Sequence, residues 1–291
     1  MPSRASAKDD LKKVLITYSY RGPQGYAAGD AEIDSILALY DEYDQGPAVP
    51  SNSLKGQGLV EKLNEAVAHA YAHTYEGRKI PHVREQAFKG VSHCPICGIS
   101  KPGELDHFFP QSKYKPLTIY SRNLVPLCHD CNYIKKAKDE EAGNRLFPHA
   151  YFDILPDEDF VRADVAIVNG GLVANFSVAQ NVANMPPALY DRLVYQANTL
   201  NLSERFGEEI SGVLVSHIVN LHLMFREGAQ MVRRFLLTQA AVERQTYHRN
   251  HWRPVLLQAL ADHALFCNGG FAIVAPMDPQ LLEGMTADTE G

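Results

Sequence analysis

The stretch that decides the fold lies between residues 94 and 135. It reads Cys94-Pro95-Ile96-Cys97, then Leu105-Asp106-His107-Phe108-Phe109-Pro110, then Asn123-Leu124-Val125-Pro126-Leu127-Cys128-His129-Asp130-Cys131-Asn132, and it ends at Lys135. Each Cys-x-x-Cys pair presents two thiolates from one tight turn, and four thiolates complete the closed tetrahedral shell that structural zinc prefers. We therefore predict one structural Zn²⁺ site, formed by Cys94, Cys97, Cys128 and Cys131.

The segment between the two cysteine pairs predicts a hairpin followed by a helix. A simple zinc ribbon separates its pairs by roughly 15–20 residues, whereas residues 98–127 form a longer insert. Asp106 and His107 are adjacent on the first strand, so they point to opposite faces unless a bulge or twist brings both to one phosphate. Asn123 begins the returning apolar strand, and a helix begins near Asn132. The zinc site is therefore expected to stabilise a second group of polar residues, which lies between and just after the cysteine pairs.

This order of residues resembles the HNH endonuclease family, whose ββα-metal site combines a hairpin histidine, a middle asparagine and a third residue on a helix. The first family position falls on His107, which Asp106 precedes. The middle position falls on Asn123, and the third falls on Asn132, where many members have histidine. The resemblance implies that His107 is the general base for an attacking water. It also implies that Asp106 and Asn132 hold one divalent ion and that Asn123 orients the His107 ring.

These residue types suit the hydrolysis of a phosphodiester bond. Histidine, with an unperturbed pKa of about 6.5, accepts a proton at neutral pH. A carboxylate and an amide oxygen form a hard site, which favours Mg²⁺ or Mn²⁺ over a second Zn²⁺. The expected cofactors are therefore a structural Zn²⁺ and a catalytic Mg²⁺ or Mn²⁺. The resemblance implies DNA as the substrate. Glu104, Ser112 and His129 lie close enough in sequence to contribute supporting hydrogen bonds, but we expect them to be solvated loop residues and assign them no roles.

Charge supports a polyanionic partner only around this segment. The chain has a formal net charge of −6 at pH 7, which argues against broad electrostatic wrapping of DNA. Residues 101–138 are locally basic, and Lys135 and Lys136 on the predicted helix are the candidates for phosphate contact. The alternative for both lysines is a solvated helix face. An acidic body with one basic segment points to a partner that delivers the substrate.

The expected fold class is α+β and mainly helical, with a zinc-stapled ββα-metal module set between helical N- and C-terminal regions. Apolar residues at three- and four-residue spacing predict helices on both sides of the module, and Asn169-Gly170-Gly171 predicts a hairpin. The predicted regions are a mainly helical N-terminal region at 1–90, the HNH module with its four-cysteine zinc site at 91–150, a β-hairpin plus helical C-terminal body at 151–278, and a flexible acidic tail at 279–291.

The sequence carries no sign of membrane association. No apolar run approaches the length that spans a bilayer, and residues 1–10 are charged rather than a signal sequence. These features predict a soluble, cytoplasmic protein that makes no membrane contact.

The wider layout also resembles HNH proteins that form the nuclease half of two-component bacterial anti-phage systems, beside an ABC- or SMC-like ATPase. The shared features lie at residues 106–114, 123–126 and 268–271. The resemblance implies a defence role with such an ATPase as partner. One site cuts one strand, so double-strand cleavage would call for a homo-oligomer or two encounters. The alternatives are a non-cleaving nucleic-acid adaptor and a scaffold subunit of a larger complex.

Overall fold

The chain divides into two compact units, Met1–Ile154 and Leu155–Gly291. A computed structural model describes residues 1–19, 21–138, 140–141, 143–278 and 280–281. The predicted regions 1–90 and 91–150 both lie in the first unit. The acidic tail predicted at 279–291 lies outside the described residues except for 280 and 281.

The described residues are mainly helical and contain four two-stranded antiparallel sheets. The mainly helical α+β class is therefore confirmed at this level. In this part of the chain, no helix combines the length and the apolar character that crossing a membrane requires. The elements of the first unit are α1 (Ala7–Val14), β1 (Thr17–Ser19), β2 (Pro23–Gly25), α2 (Asp30–Gln45), α3 (Glu61–His69), α4 (Pro81–Phe88), β3 (Glu104–His107), β4 (Leu124–Leu127), α5 (His129–Lys135), β5 (Glu140–Glu141) and β6 (Asn144–Arg145).

Helix α2 supplies much of the aromatic core of the first unit. Its buried residues recur every three or four positions, which is the spacing that places them on one helix face. Tyr40 stacks on Tyr120 with ring centroids 4.0 Å apart, and Tyr43 meets Phe109 edge-on at 5.7 Å. The buried face of α2 therefore packs directly against the residues that lie between β3 and β4.

Strands β3 and β4 form the predicted hairpin, and α5 follows it directly. The register pairs Asp106 with Val125 and His107 with Leu124. Leu105 and His107 are buried while Glu104 and Asp106 are half-buried, so β3 alternates as a regular strand does. Asp106 and His107 therefore leave the strand on opposite faces.

The second unit combines a long hairpin with a group of helices, as the sequence pattern predicts. The hairpin turns at Asn169 and Gly170, whose φ angles of 51° and 79° match the turn that favours an Asn-Gly pair. Phe206 stacks on Trp252 at 5.7 Å in its core. The elements are β7 (Val161–Val168), β8 (Gly171–Val178), α6 (Pro187–Thr199), α7 (Leu202–Phe225), α8 (Ala229–Thr246), α9 (Trp252–Asp262) and α10 (Phe271–Val274).

Candidate functional site

Four buried cysteines form a cluster whose geometry fits one tetrahedral metal ion. Their residues are 0–3% exposed, and their Sγ atoms all lie within 4.8 Å of one another. The Sγ atoms of Cys97 and Cys128 are 3.8 Å apart. Four Zn–S bonds of about 2.3 Å in a tetrahedron also place the sulfur atoms about 3.8 Å apart. The cluster that could hold the predicted structural Zn²⁺ consists of Cys94, Cys97, Cys128 and Cys131.

Local backbone structure aims these thiols inward. Gly98 has a φ of +68° and donates its N–H to the carbonyl of Cys94 at 2.8 Å, which closes the first tight turn. The amide of Ile99 donates to the Cys97 Sγ at 3.5 Å. The second pair lies at the start of α5, with Cys128 immediately before its first residue. Hydrogen bonds from the thiols of Cys131 and Cys94 lower the pKa of Cys128, which favours the thiolate that a metal binds.

A polar layer lies between β3 and α5. Glu104 and Asp106 share one strand face, and the amide Nδ2 of Asn132 donates to Glu104. His129 Nδ1 lies 2.7 Å from the same carboxylate, which raises the pKa of His129. The Asn132 bond is the main cause of the lowered pKa of Glu104. Glu104 lies on β3 and His129 on α5, so neither is a loop residue, although both side chains contact solvent. The two-residue spacing from Glu104 to Asp106 was the available signal that both carboxylates share a face.

Lys135 is a buried partner of Asp106. The residue is 3% exposed, and its Nζ donates to Asp106 Oδ2 at 2.7 Å and to the carbonyl of His107 at 3.0 Å. A buried, paired ammonium cannot reach a DNA phosphate, so the phosphate contact predicted for Lys135 needs correction. Lys136 is exposed at the end of α5, with its Nζ 4.6 Å from the centroid of the Tyr133 ring, and the phosphate contact remains a prediction for it.

Asp106 and Asn132, the predicted ligands of a catalytic metal, lie in the same polar layer. Each keeps one side-chain oxygen, Oδ1, that makes no hydrogen bond within the part of the chain that the structure describes. Carboxylate and amide oxygens are the hard ligands that Mg²⁺ prefers, and Mg²⁺ keeps several waters when proteins bind it. The two oxygens are therefore of the type that Mg²⁺ accepts, and the binding of a divalent ion by Asp106 and Asn132 stays a prediction.

His107 lies on the other face of β3 and is held by a backbone carbonyl. The residue is 8% exposed, its Nε2 lies 2.9 Å from the carbonyl oxygen of Thr118, and its ring centroid is 4.8 Å from that of Tyr71. A carbonyl only accepts, so Nε2 carries the proton and Nδ1 keeps the lone pair. Burial is the main cause of a lowered pKa at His107. The ring is therefore neutral near pH 7, with its basic nitrogen defined.

Asn123 does not contact the His107 ring as the resemblance implied. Its Oδ1 accepts the N–H of Phe109 at 2.8 Å, and its Nδ2 donates to the carbonyls of Phe109 and Leu117 at 3.2 and 3.3 Å. Asn123 therefore ties together the segment between β3 and β4. Thr118, which follows Leu117 and orients the ring, was not identified from sequence because any residue type supplies a carbonyl.

Comparison with known proteins yields one remote similarity. The chain is 25% identical over 194 residues to Protein ea31 of Escherichia phage lambda, and the match covers 60% of this chain. It spans 64% of the length of that relative, which is less than two thirds. No family model matches the chain, and no solved structure matches it. The match does not identify a family at this identity and coverage, so any function has to be argued from the residues.

Proposed function

We propose that the chain is a metal-dependent HNH-type endonuclease that hydrolyses DNA phosphodiester bonds. The observation that carries the proposal is the arrangement on β3. A neutral histidine with a defined basic nitrogen, His107, directly follows a carboxylate, Asp106, that faces the helix bearing Asn132. The four-cysteine cluster brackets this arrangement in sequence and supports it as a structural zinc site.

His107 is the general base in this proposal. Its Nδ1 accepts a proton from the attacking water while the Thr118 carbonyl holds the Nε2 proton and so prevents the ring from changing tautomer. Asp106 and Asn132 would hold Mg²⁺ or Mn²⁺, which when bound neutralises charge that builds on the phosphoryl oxygens. Lys136, which is exposed at the end of α5, would contact the DNA backbone in this proposal.

The test is cleavage of supercoiled and linear DNA with Mg²⁺, with Mn²⁺ and without added divalent metal. The wild type should cut only with added metal, and His107→Ala should lower the rate by about 10²–10⁴-fold, the usual contribution of a general base. Retained activity in a clean His107→Ala preparation would refute the assignment of the base.

A second variant separates the loss of the base from the loss of structure. His107→Gln keeps an N–H that can reach the Thr118 carbonyl but removes the basic ring nitrogen. It should retain zinc and thermal stability close to the wild type while cleaving as poorly as His107→Ala. Zinc content and the unfolding midpoint of each variant are therefore measured beside the cleavage rate.

A non-cleaving nucleic-acid adaptor is the second candidate, and the Asp106–Lys135 ion pair favours it. An ammonium on the candidate metal ligand already balances the carboxylate charge that a divalent ion would otherwise balance. An adaptor would bind DNA with the same affinity with or without Mg²⁺ and would release no product. If the wild type bound DNA but released no cleavage product, this second function would be favoured.

The defence role and the ATPase partner are supported by the sequence resemblance alone. An ABC- or SMC-like ATPase that delivers DNA would explain how an acidic chain with a small basic segment reaches its substrate. Affinity purification of the tagged chain from its native cells tests this part of the proposal. Recovery without any ATPase, under conditions where the chain is active, would count against it.

A further inference from the structure

Asn123 is part of a buried chain of hydrogen bonds that extends well beyond the hairpin. Tyr43, on α2, lies with its hydroxyl 3.2 Å from Asn123 Oδ1. His149, which follows the cysteine-rich segment, lies with its Nε2 2.9 Å from the same hydroxyl. Tyr43, Asn123 and His149 are each 0–1% exposed, so these bonds form away from solvent.

The direction of each hydrogen bond follows from its donors and acceptors. The backbone N–H of Tyr151 donates to His149 Nδ1 at 3.1 Å, so the neutral ring carries its proton on Nε2. That Nε2–H donates to the Tyr43 oxygen, and the Tyr43 O–H donates to Asn123 Oδ1 at 3.2 Å, with the carbonyl of Arg122 as a longer alternative acceptor at 3.5 Å. Burial, the main cause, lowers the pKa of His149 to about 3, which keeps this ring neutral at physiological pH.

Within this hydrogen-bond network, every donor and acceptor of the Asn123 side-chain amide has a partner. Its oxygen accepts from Tyr43 and from the amide of Phe109, and its two N–H groups donate to the carbonyls of Phe109 and Leu117. An amide has two acceptor lone pairs and two donors, so no capacity remains. A rotation of the amide by half a turn would set its NH₂ group against the Phe109 N–H and its oxygen against two carbonyls. The backbone contacts therefore select one orientation, and the Tyr43 hydroxyl satisfies the second lone pair of Oδ1 in that orientation.

The bonds of Asn123 flank the two residues that place the candidate base. Phe109 lies two residues after His107, and Leu117 lies immediately before Thr118, whose carbonyl holds the ring. Clamping these two points sets the position of the Thr118 carbonyl relative to β3. A shift at Asn123 is therefore transmitted to the ring of His107 through the backbone.

From this geometry we propose that Tyr43 and His149 are positioning residues for His107, acting through Asn123 and residues 109–118. The inference rests on the proposed endonuclease function for its catalytic consequence but not for its structural content. Neither residue belongs to the hairpin or to α5. The candidate site accordingly extends beyond the ββα module to α2 and to the segment that contains His149.

The test compares two tyrosines on one helix. Tyr43→Phe removes the hydroxyl that bonds Asn123, whereas Tyr40→Phe removes a buried hydroxyl that has no hydrogen-bond partner in the described residues. Both tyrosines are 0–1% exposed and lie about one helical turn apart. The two variants therefore lose the same atom from buried positions on one helix, and they differ in the hydrogen bonds of the Tyr43 hydroxyl to Asn123, to His149 and to the carbonyl of Arg122. Zinc content and thermal unfolding verify that both fold.

Two measurements give the outcome. Amide hydrogen exchange at Phe109, whose N–H bonds Asn123 Oδ1, should accelerate about tenfold in Tyr43→Phe, the effect of weakening one buried hydrogen bond. It should stay at the wild-type rate in Tyr40→Phe. The single-turnover DNA cleavage rate should fall about tenfold in Tyr43→Phe, with an unchanged Kd for DNA, because the base is displaced but the binding surface is not.

The outcomes separate this inference from the proposed function. Equal exchange at Phe109 in the two variants would overturn the positioning role, whatever the activity. A wild type that cleaves no DNA would refute the endonuclease, while the exchange comparison would still decide whether Tyr43 holds Asn123. Faster exchange with an unchanged cleavage rate would overturn the link from Asn123 to His107.

Discussion

The two faces of strand β3 carry the two halves of the candidate site, and they are built in different ways. On the helix face, Glu104 and Asp106 meet side chains of α5 that follow them by 25–29 residues. On the other face, the contacts that reach His107 pass through Thr118 and Asn123 to Tyr43 and His149, which are 106 residues apart. The contacts on the helix face are formed within a short segment of sequence. The contacts on the His107 face join residues that are far apart in the first unit.

The two faces also differ in charge and in solvent contact. The helix face consists of ion pairs and of half-buried carboxylates, with the Asp106 side chain 14% exposed. The face of His107 consists of neutral hydrogen bonds among buried aromatic and amide groups. The charged groups that would meet a cation lie on the first face, and the neutral base lies on the second. Because His107 is the last residue of β3, the proposed function places the phosphate at the end of the strand, where it meets both side chains. The comparison teaches that ligand contact and base positioning are separable properties of this hairpin.

The largest effect is expected from loss of the zinc site, because it disrupts both faces of β3. Cys94→Ser should lose the metal and unfold the first unit, because structural zinc contributes about 10–16 kcal/mol to folding in zinc-finger peptides. Cys267→Ser is the control, since this buried cysteine lies in the second unit and outside the cluster. Zinc content by mass spectrometry and circular dichroism check the result. A folded, zinc-free Cys94→Ser protein would show that the four-thiolate site is wrong.

The next effect concerns the helix face alone. Asp106→Asn leaves the Lys135 ammonium buried without its carboxylate, so the free energy of unfolding should fall by about 3 kcal/mol. Adding Lys135→Met removes the stranded charge and should restore part of that loss. Urea unfolding of the two single variants and the double variant measures the coupling. Strict additivity would show that the ion pair does not form, and exchange at Phe109 should stay unchanged throughout.

A smaller effect on stability, which depends on pH, concerns only the face of β3 that carries His107. Burial lowers the pKa of His149 to about 3, against about 6.5 in an unfolded chain. Between these values the unfolded chain binds the proton that the folded chain excludes. The free energy of unfolding should therefore fall by about 1.4 kcal/mol for each pH unit below about 6.5, with a constant contribution above that pH.

His149→Gln isolates this contribution, because glutamine does not titrate. Urea unfolding from pH 7 to pH 4.5 should show a shallower loss of stability in His149→Gln than in the wild type, whatever the stability of the variant at pH 7. Identical slopes would contradict the burial of a neutral ring at this position. Acid effects on the cysteine cluster are common to both proteins and cancel in the comparison.

The smallest effect tests which lysine of α5 faces DNA. Lys136→Ala should weaken DNA binding and reduce the slope of log K against log salt by about 0.9, the value for one phosphate contact. Lys135→Met is the matched comparison and should leave the slope unchanged, because its ammonium is buried against Asp106. Filter binding at several salt concentrations measures both. An equal change of slope in the two variants would show that Lys135 also reaches phosphate.

Much of the fold could be predicted from local patterns. Apolar spacing predicted helices on both sides of the cysteine-rich segment, and Asn169-Gly170 predicted the hairpin of the second unit. Helices α1 and α4, of eight residues each, were not predicted, because short helices carry little periodic signal. The burial of Lys135 was missed for a related reason. A lysine on a short helix is expected to be exposed unless the strand opposite is known to place a carboxylate beneath it.

The sequence by itself determined the four-cysteine cluster and the order of hairpin and helix, because those features depend on residues that are neighbours along the chain. That Asp106 and Asn132 act together was implied only by the family resemblance, and the structure places both side chains between β3 and α5. Only the tertiary structure decided that Lys135 is buried, that Thr118 orients His107, and that Tyr43 and His149 bond to Asn123. Those contacts depend on how distant segments pack, and neither residue type nor spacing encodes that packing.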